Sequence, residues 1–232
     1  MFESRRRANA ERELAKAAAL LLALLALLMI FLGIVTTSSS LYYVAILFFV
    51  SAGLALISKA GTWSIGAYGE EIVAQHLSHL GPPYRVIHDV ILPGVKGNID
   101  HIVLGINGVF VVETKNHKGL IMCDGDSWIQ RKVGQHGTPY LGKIGCPSKQ
   151  VKRCAILLRN LIQDRLGMNI YVNGVVVFTN KDAIVRINNP TVIVLKPDKL
   201  CEFIMTHKSE TPLREQELDK LETIIRPYSQ FH

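Results

Sequence analysis

Two long apolar runs near the amino end limit this chain more than any other feature. Ala17 to Val35 is 19 residues without a charge, and Leu41 to Ile57 is 17 more. At ~1.5 Å rise per residue they span roughly 28 Å and about 26 Å as helices, close to the ~30 Å hydrocarbon core of a bilayer. Thr36 to Ser40 is polar and uncharged, and just long enough to reverse the chain. A secretory signal has a shorter apolar region and a small-residue cleavage site, whereas here a second run follows at once. Soluble buried helices rarely lack polar residues all round over such lengths. The pattern predicts a transmembrane helical hairpin over residues 17–58, with residues 17–57 in contact with the lipid bilayer.

Flanking charge sets the orientation. Arg5, Arg6, Arg7, Arg12 and Lys16 precede the first run and Lys59 follows the second, while the loop between them has no Lys or Arg. By the positive-inside rule both termini face the cytoplasm of a multi-pass protein of the inner (plasma) membrane. The chain thus divides into a basic cytoplasmic segment, 1–16, the hairpin, 17–58, and a cytoplasmic domain, 60–232. Neither run holds an ionisable group, so nothing suggests a pore. Cys123, Cys146, Cys154 and Cys201 form no C-x-x-C pair, as suits buried thiols in a reducing compartment. The net charge of +7 splits into +3 for residues 1–59 and +4 for 60–232. A domain that mildly basic is compatible with nucleic acid but does not by itself require it.

Within the domain, Gly61 to Gly69 reads as a connector into a helix that begins near Ala67, with Ile72, Val73, Leu77 and Leu80 on its apolar stripe. Glu70 and Glu71 lie in its first turn, where they would favour the helix dipole. Tyr84 to Leu92 reads as a strand. Leu120 to Cys123 and Ser127 to Lys132 read as a hairpin, and Gly134 to Gly145 as an exposed loop. A long helix is expected from Pro147 to Leu166, capped near Ser148, then strands at Ile170 to Phe178 and Val192 to Leu195. A short helix over Pro197 to Thr206 and a last one over Pro212 to Ile225, capped by Thr211, complete the order. This is an α/β domain with a mixed sheet.

The chemistry concentrates in Asn98 to Lys115. Ile99 to Leu104 and Val109 to Val112 are apolar runs joined by Gly105-Ile106-Asn107-Gly108, a tight-turn sequence. The second run ends abruptly in Glu113-Thr114-Lys115. Glu113 and Lys115 are two apart and so share one strand face, and hairpin pairing brings Asp100 near Glu113. Hydrolysis of a phosphodiester needs an activated water, charge stabilisation at phosphorus and a stabilised leaving oxygen. A hard divalent cation held by oxygen ligands serves all three. Asp100 and Glu113, with the Thr114 carbonyl, are the candidate ligands for Mg²⁺ (or Mn²⁺), and Lys115 would orient the water and offset phosphate charge.

An Asp, about a dozen residues, then Glu-x-Lys at a strand end resembles the PD-(D/E)xK nuclease superfamily. More narrowly, GAYGEE opening a helix, NIDHIVLGINGVFVVETKNHKG at the centre and Pro147 to Gln150 opening a later helix resemble the nuclease-related (NERD) domain. The resemblance covers about residues 60–180. It implies a restriction-endonuclease-like mixed sheet flanked by helices, with Asp100 and Glu113 as metal-binding acids and Lys115 as catalytic lysine. It also implies that Glu70 is the helix acid near the metal and Gln150 the polar residue of the following helix. Ile99 stands where several superfamily members have Pro, a departure that removes no ligand. His101 and His117 flank the motif.

Arg131, Lys132, Lys143, Lys149, Lys152 and Arg153 cluster after the motif. Lys149, Lys152 and Arg153 are the foremost candidates to contact phosphates, although the same pattern fits a solvated face. Trp128 and Tyr140 suit either base stacking or packing. The expected function is a membrane-anchored, metal-dependent nuclease acting on DNA, with RNA as the second choice of substrate. The alternative is an inactive nuclease-fold module that tethers nucleic acid or a partner protein to the membrane.

Overall fold

The computed structural model describes residues 2–35, 40–94, 97–134, 137–142, 144–209 and 212–230. The chain forms two compact units, Met1–Tyr68 and Gly69–His232. The first holds helix α1, Phe2–Val35, and most of α2, Ser40–Leu77. Among the described residues one helical stretch, Glu13–Ile30, is long and apolar enough to cross a membrane, and Tyr43–Ser58 is apolar but shorter. Of the two expected spans, the first meets that criterion, and the second is seen as an apolar stretch of shorter length. Residues 36–39 of the expected loop lie outside the described residues. Gly61 to Gly69, expected as a connector, is helical within α2. Isolated glycines weaken a helix without ending it when the flanking sequence is helix-forming.

The second unit contains two sheets. The first has the order β1-β2-β3-β7-β9, from β1, Arg85–Val90, β2, Ile99–Gly105, β3, Gly108–Lys115, β7, Val172–Phe178, and β9, Ile193–Leu195. β1, β2 and β3 are antiparallel, and β7 and β9 add in parallel. Val103, Phe110, Val112, Val175 and Val177 point to one face, where they meet Val73 and Leu77 of α2 and Leu200 and Ile204 of α4, Pro197–Thr206. Ile102, Leu104, Val109, Val111 and Val176 point to the other, against α3, Pro147–Leu166, and α5, Glu215–Ile225. Every residue of β2 and β3 except Lys115 is buried. That is the signature of a strand covered on both sides, and it explains the nearly unbroken apolar run.

The second sheet has the order β6-β5-β4-β8, from β4, Gly119–Asp124, β5, Ser127–Val133, β6, Pro139–Gly142, and β8, Ala183–Asn188. The expected single mixed sheet is therefore two. β6 lies in the segment read as a loop, with Pro139 at the first position of an edge strand, where a missing N–H is tolerated. The last helix begins at Glu215 with Arg214 as its cap, not at Pro212. There Arg214 N–H donates to Glu217 Oε2 at 2.7 Å, which closes the first turn. The four cysteines are free thiols.

Candidate active site

The register of the first sheet puts acids from three neighbouring strands in one row. His101 pairs with Val112 across β2 and β3, so Asp100 falls opposite Glu113, one step past the last ladder pair. His88 pairs with His101 and Val90 with Ile99, so Asp89 falls opposite Asp100, where the β1–β2 pairing lapses. Asp89 has a positive φ of 49° and accepts a 2.7 Å hydrogen bond from Asn98 Nδ2. The ladder that would continue between Asp100 and Glu113 is replaced by a side chain: the Thr114 amide donates to Asp100 Oδ2 at 2.7 Å. That contact fixes the first carboxylate against the backbone of the strand that carries the second.

Glu113 and Lys115 share the face of β3 that looks toward α3. The Lys115 ammonium donates to Glu113 Oε1 at 2.5 Å and to Gln150 Oε1 at 3.1 Å. Gln150 lies in the first turn of α3, whose amino end carries no side-chain cap. Its positive dipole end is thereby directed to the neighbourhood of Lys115 and favours anions there. Ser148, expected as the cap, is instead fully buried and accepts from Trp128 Nε1 at 3.0 Å. Trp128 is packed, with its ring centroid 5.7 Å from that of Phe178.

Glu70 approaches from α2, which packs on the opposite face of the sheet. Gly69 makes this possible: a Cβ there would stand 2.9 Å from both Asn116 Cβ and Thr179 Oγ1 and 3.3 Å from Thr114 Cγ2. Only a glycine lets this turn of α2 close on the end of β3.

Burial dominates the electrostatics of the acids. Glu70 is pushed up to about 7 by desolvation, then by the charges of Asp89 and Glu113. Asp100 is raised well above the ordinary carboxylate range by burial, then by Glu113 and Glu70, against the stabilising Thr114 amide. Glu113 is raised by burial and held back by Lys115. Desolvated carboxylates that repel one another are costly as anions, and a divalent cation relieves both penalties at once. Among the described residues no three His, Cys, Asp or Glu side chains close into a ready-made metal cage. Mg²⁺ does not need one, since it keeps several waters and takes one or two carboxylates together with carbonyl or phosphate oxygens. The donor set of Asp100 and Glu113 with the Thr114 carbonyl fits that requirement.

Several expected contacts are placed differently. His101 lies on the face away from Asp100, and its Nδ1 is 2.7 Å from Nδ1 of His88. Burial holds His101 well below the ordinary imidazole range and lowers His88 to about 4. The pair is a structural contact behind the acids. Lys152 is bound to Asp126, 3.0 Å from each carboxylate oxygen. It lines a cavity of about 510 Å³ together with Arg159, Tyr171 and Phe203. Arg153 is exposed and close enough to lower Glu113 electrostatically, and Lys149 is exposed. Arg131 and Tyr140 are exposed on the second sheet, and Lys143 lies outside the described residues.

Two groups escaped the sequence reading. Asp89 was findable, because extending the hairpin register one strand further places it beside Asp100. Gln130, fully buried beside the loop that carries His117, had no sequence signal, since a lone Gln on a short strand reads as surface.

Residues 65–179 match the family model NERD, nuclease-related domain. The mixed α/β arrangement of two sheets flanked by helices fits a nuclease-like fold. An uncharacterized protein of Bacillus anthracis is 48% identical over 60 residues, which cover 24% of this chain and 28% of that protein. No solved structure matches the chain. The matched segment contains Glu70, Asp100, Glu113, Lys115 and Gln150, and in it the chain is similar to a nuclease-related domain.

Proposed function

We propose that the chain is a membrane-anchored nuclease that hydrolyses phosphodiester bonds in DNA or RNA with the help of Mg²⁺ or Mn²⁺. The observation that supports this most is the buried meeting of Asp100 and Glu113 at a ladder end, with Lys115 held between Glu113 and Gln150. Asp100, Glu113 and the Thr114 carbonyl would hold the cation, which makes bound water nucleophilic near neutral pH and offsets charge at phosphorus. The chain's own groups do the rest. The Thr114 amide keeps Asp100 in place, Glu113 and Gln150 hold the Lys115 ammonium, and that ammonium faces the phosphate and the attacking water. Glu70, with its carboxyl near 7, is poised to hold or release a proton beside the site. The amino end of α3 adds fixed positive potential for the phosphate. Lys149 and Arg153, exposed on the same helix, extend it toward the flanking strand.

The anchor is the apolar stretch Glu13–Ile30, and the shorter Tyr43–Ser58 is the second leg of a hairpin that returns the chain to the cytoplasm. Full-length protein in detergent, given single- and double-stranded DNA and RNA, is expected to cleave with Mg²⁺ or Mn²⁺ and not in EDTA. Cleavage undiminished by EDTA contradicts the proposal. Salt-dependent binding of nucleic acid without cleavage in any cation would favour a tethering module.

A further inference from the structure

Strand β5 alternates between solvent and the site. Trp128, Gln130 and Lys132 share its inward face, as residues two apart must. The row starts at Trp128, which leans on Phe178, the register partner of Lys115 in β7. It continues to Gln130, with no exposed surface, whose Nε2 donates to the Lys118 carbonyl at 2.7 Å. That bond ties β5 to the short loop that leaves Lys115. The other end of the carboxamide, Oε1, is buried with no hydrogen-bond partner. A buried acceptor left so costs about 1–3 kcal/mol unless a group turns onto it.

The group placed to do so is His117, half-buried in the tied loop. Desolvation and the Lys115 and Lys132 ammonium groups lower its pKa, the Gln130 carboxamide raises it, and no carboxylate is among the groups that act on it. Lys132 is half-buried and makes no ion pair among the described residues. Gly142 on β6 leaves room for this arrangement, since a Cβ there would stand 2.6 Å from Gln130 Oε1 and 2.9 Å from Lys132 Cε. Gly119, four residues past Lys115, closes on the backbone of β5 just before Lys132, where a Cβ would stand 2.6 Å from the Arg131 carbonyl oxygen. An unpaired ammonium, an imidazole and a braced amide are thus gathered on one wall beside Lys115. Lys132 supplies the charge for an oxyanion there. The anion in turn draws a second proton onto the imidazole, which then donates to it while still donating to Gln130 Oε1.

We propose that Lys132 and His117, braced by Gln130, form a second phosphate subsite that takes a non-scissile phosphate of a bound nucleic-acid strand. The inference rests on the nucleolytic reading above and adds the direction in which the strand leaves the metal site, along the inward row of β5. It also gives Lys132, one of several basic residues in the sequence cluster, a distinct duty that Lys152, bound to Asp126, does not share.

The test is calorimetric titration of deoxythymidine 3′,5′-bisphosphate into the full-length protein in detergent, in EDTA so that no cation contributes. Lys132→Ala and His117→Ala are each expected to weaken binding about fivefold or more, the scale of one charge-assisted contact at a half-exposed site. Lys132→Arg should stay within about twofold of the wild type. Arg186→Ala, on the outer face of the second sheet, should bind as the wild type does. Equal affinity of Lys132→Ala and the wild type overturns the subsite, provided thermal melting shows the variant folded. Bisphosphate binding that depends on Lys132, in a protein that cleaves nothing, supports the subsite and removes the nuclease reading. Cation-dependent cleavage with an unchanged KM in Lys132→Ala overturns the subsite and leaves that reading standing.

Discussion

The two sheets of the domain share a plan: three antiparallel strands in sequence, extended by parallel strands that arrive later in the chain. They differ in what covers them. In β2 and β3 both faces are packed, by α2 and α4 on one side and α3 and α5 on the other. In the second sheet one face is open, so Ile129, Arg131 and Val133 of β5 and Ile184 and Arg186 of β8 are exposed. Burial therefore falls on the acids and not on most of the cations. Asp100 and Glu113 pay for desolvation and shift upward, while arginines of the open sheet stay in water. A buried frame holds acids that repel one another, and an open frame beside it keeps its arginines in water.

If that division is right, the largest effect should come from the lysine held by the buried frame. Lys115→Ala is expected to lower cleavage about 10²–10⁴-fold, and Gln150→Ala about tenfold by loosening the ammonium. Arg186→Ala should leave the rate unchanged. Initial rates on one DNA substrate at saturating Mg²⁺ would check all three, and equal losses at Lys115 and Arg186 would erase the distinction.

Packing should separate the sheets next. Leu104→Ala, in a fully buried strand, should cost about 3 kcal/mol in denaturant unfolding. Leu141→Ala, at 71% exposure on β6, should cost less than about 0.5 kcal/mol.

The third effect is a pH dependence confined to the buried frame. Glu70 rises from 4.5 to about 7, so the folded state holds this proton more tightly than the unfolded chain. Stability from this group is complete below about 4.5 and is lost as pH climbs through about 7. Asp100 and Glu113 shift in the same direction. In EDTA the domain should lose on the order of 2 kcal/mol through Glu70 between pH 5 and 8. Glu70→Gln should flatten part of that slope in thermal melts, and Mg²⁺ should flatten more of it. A slope unaltered by either change would contradict the coupling. Gly69→Ala is expected to cost about 1–2 kcal/mol by pushing α2 off the strand end.

The sequence reached the buried frame far better than the open one. The β2–β3 hairpin is legible because strands covered on both faces read as continuous β-branched runs, so the charges at Asp100, Glu113 and Lys115 stand out. α3 is legible from the spacing of Val151, Ala155, Leu158 and Ile162. β8, Ala183–Asn188, was missed because its pairing with β4 is non-local and its polar positions, such as Arg186, resemble a loop. β6 was hidden by the glycines and proline around it. Of the two apolar runs that composition marked, Glu13–Ile30 has the length of a span and Tyr43–Ser58 is shorter among the described residues. His101 adjoins Asp100 in sequence but not in space, because successive residues of a strand point to opposite faces.

The most direct measurement is DNA cleavage by full-length wild type and Asp100→Ala, side by side, in Mg²⁺ and in EDTA, with melting curves to confirm that both fold. Wild-type cleavage only with Mg²⁺, and loss of at least about 10³-fold in a folded Asp100→Ala, is the expected result. Cleavage in EDTA, or a folded Asp100→Ala as active as the wild type, would contradict a cation-dependent centre at the end of β3.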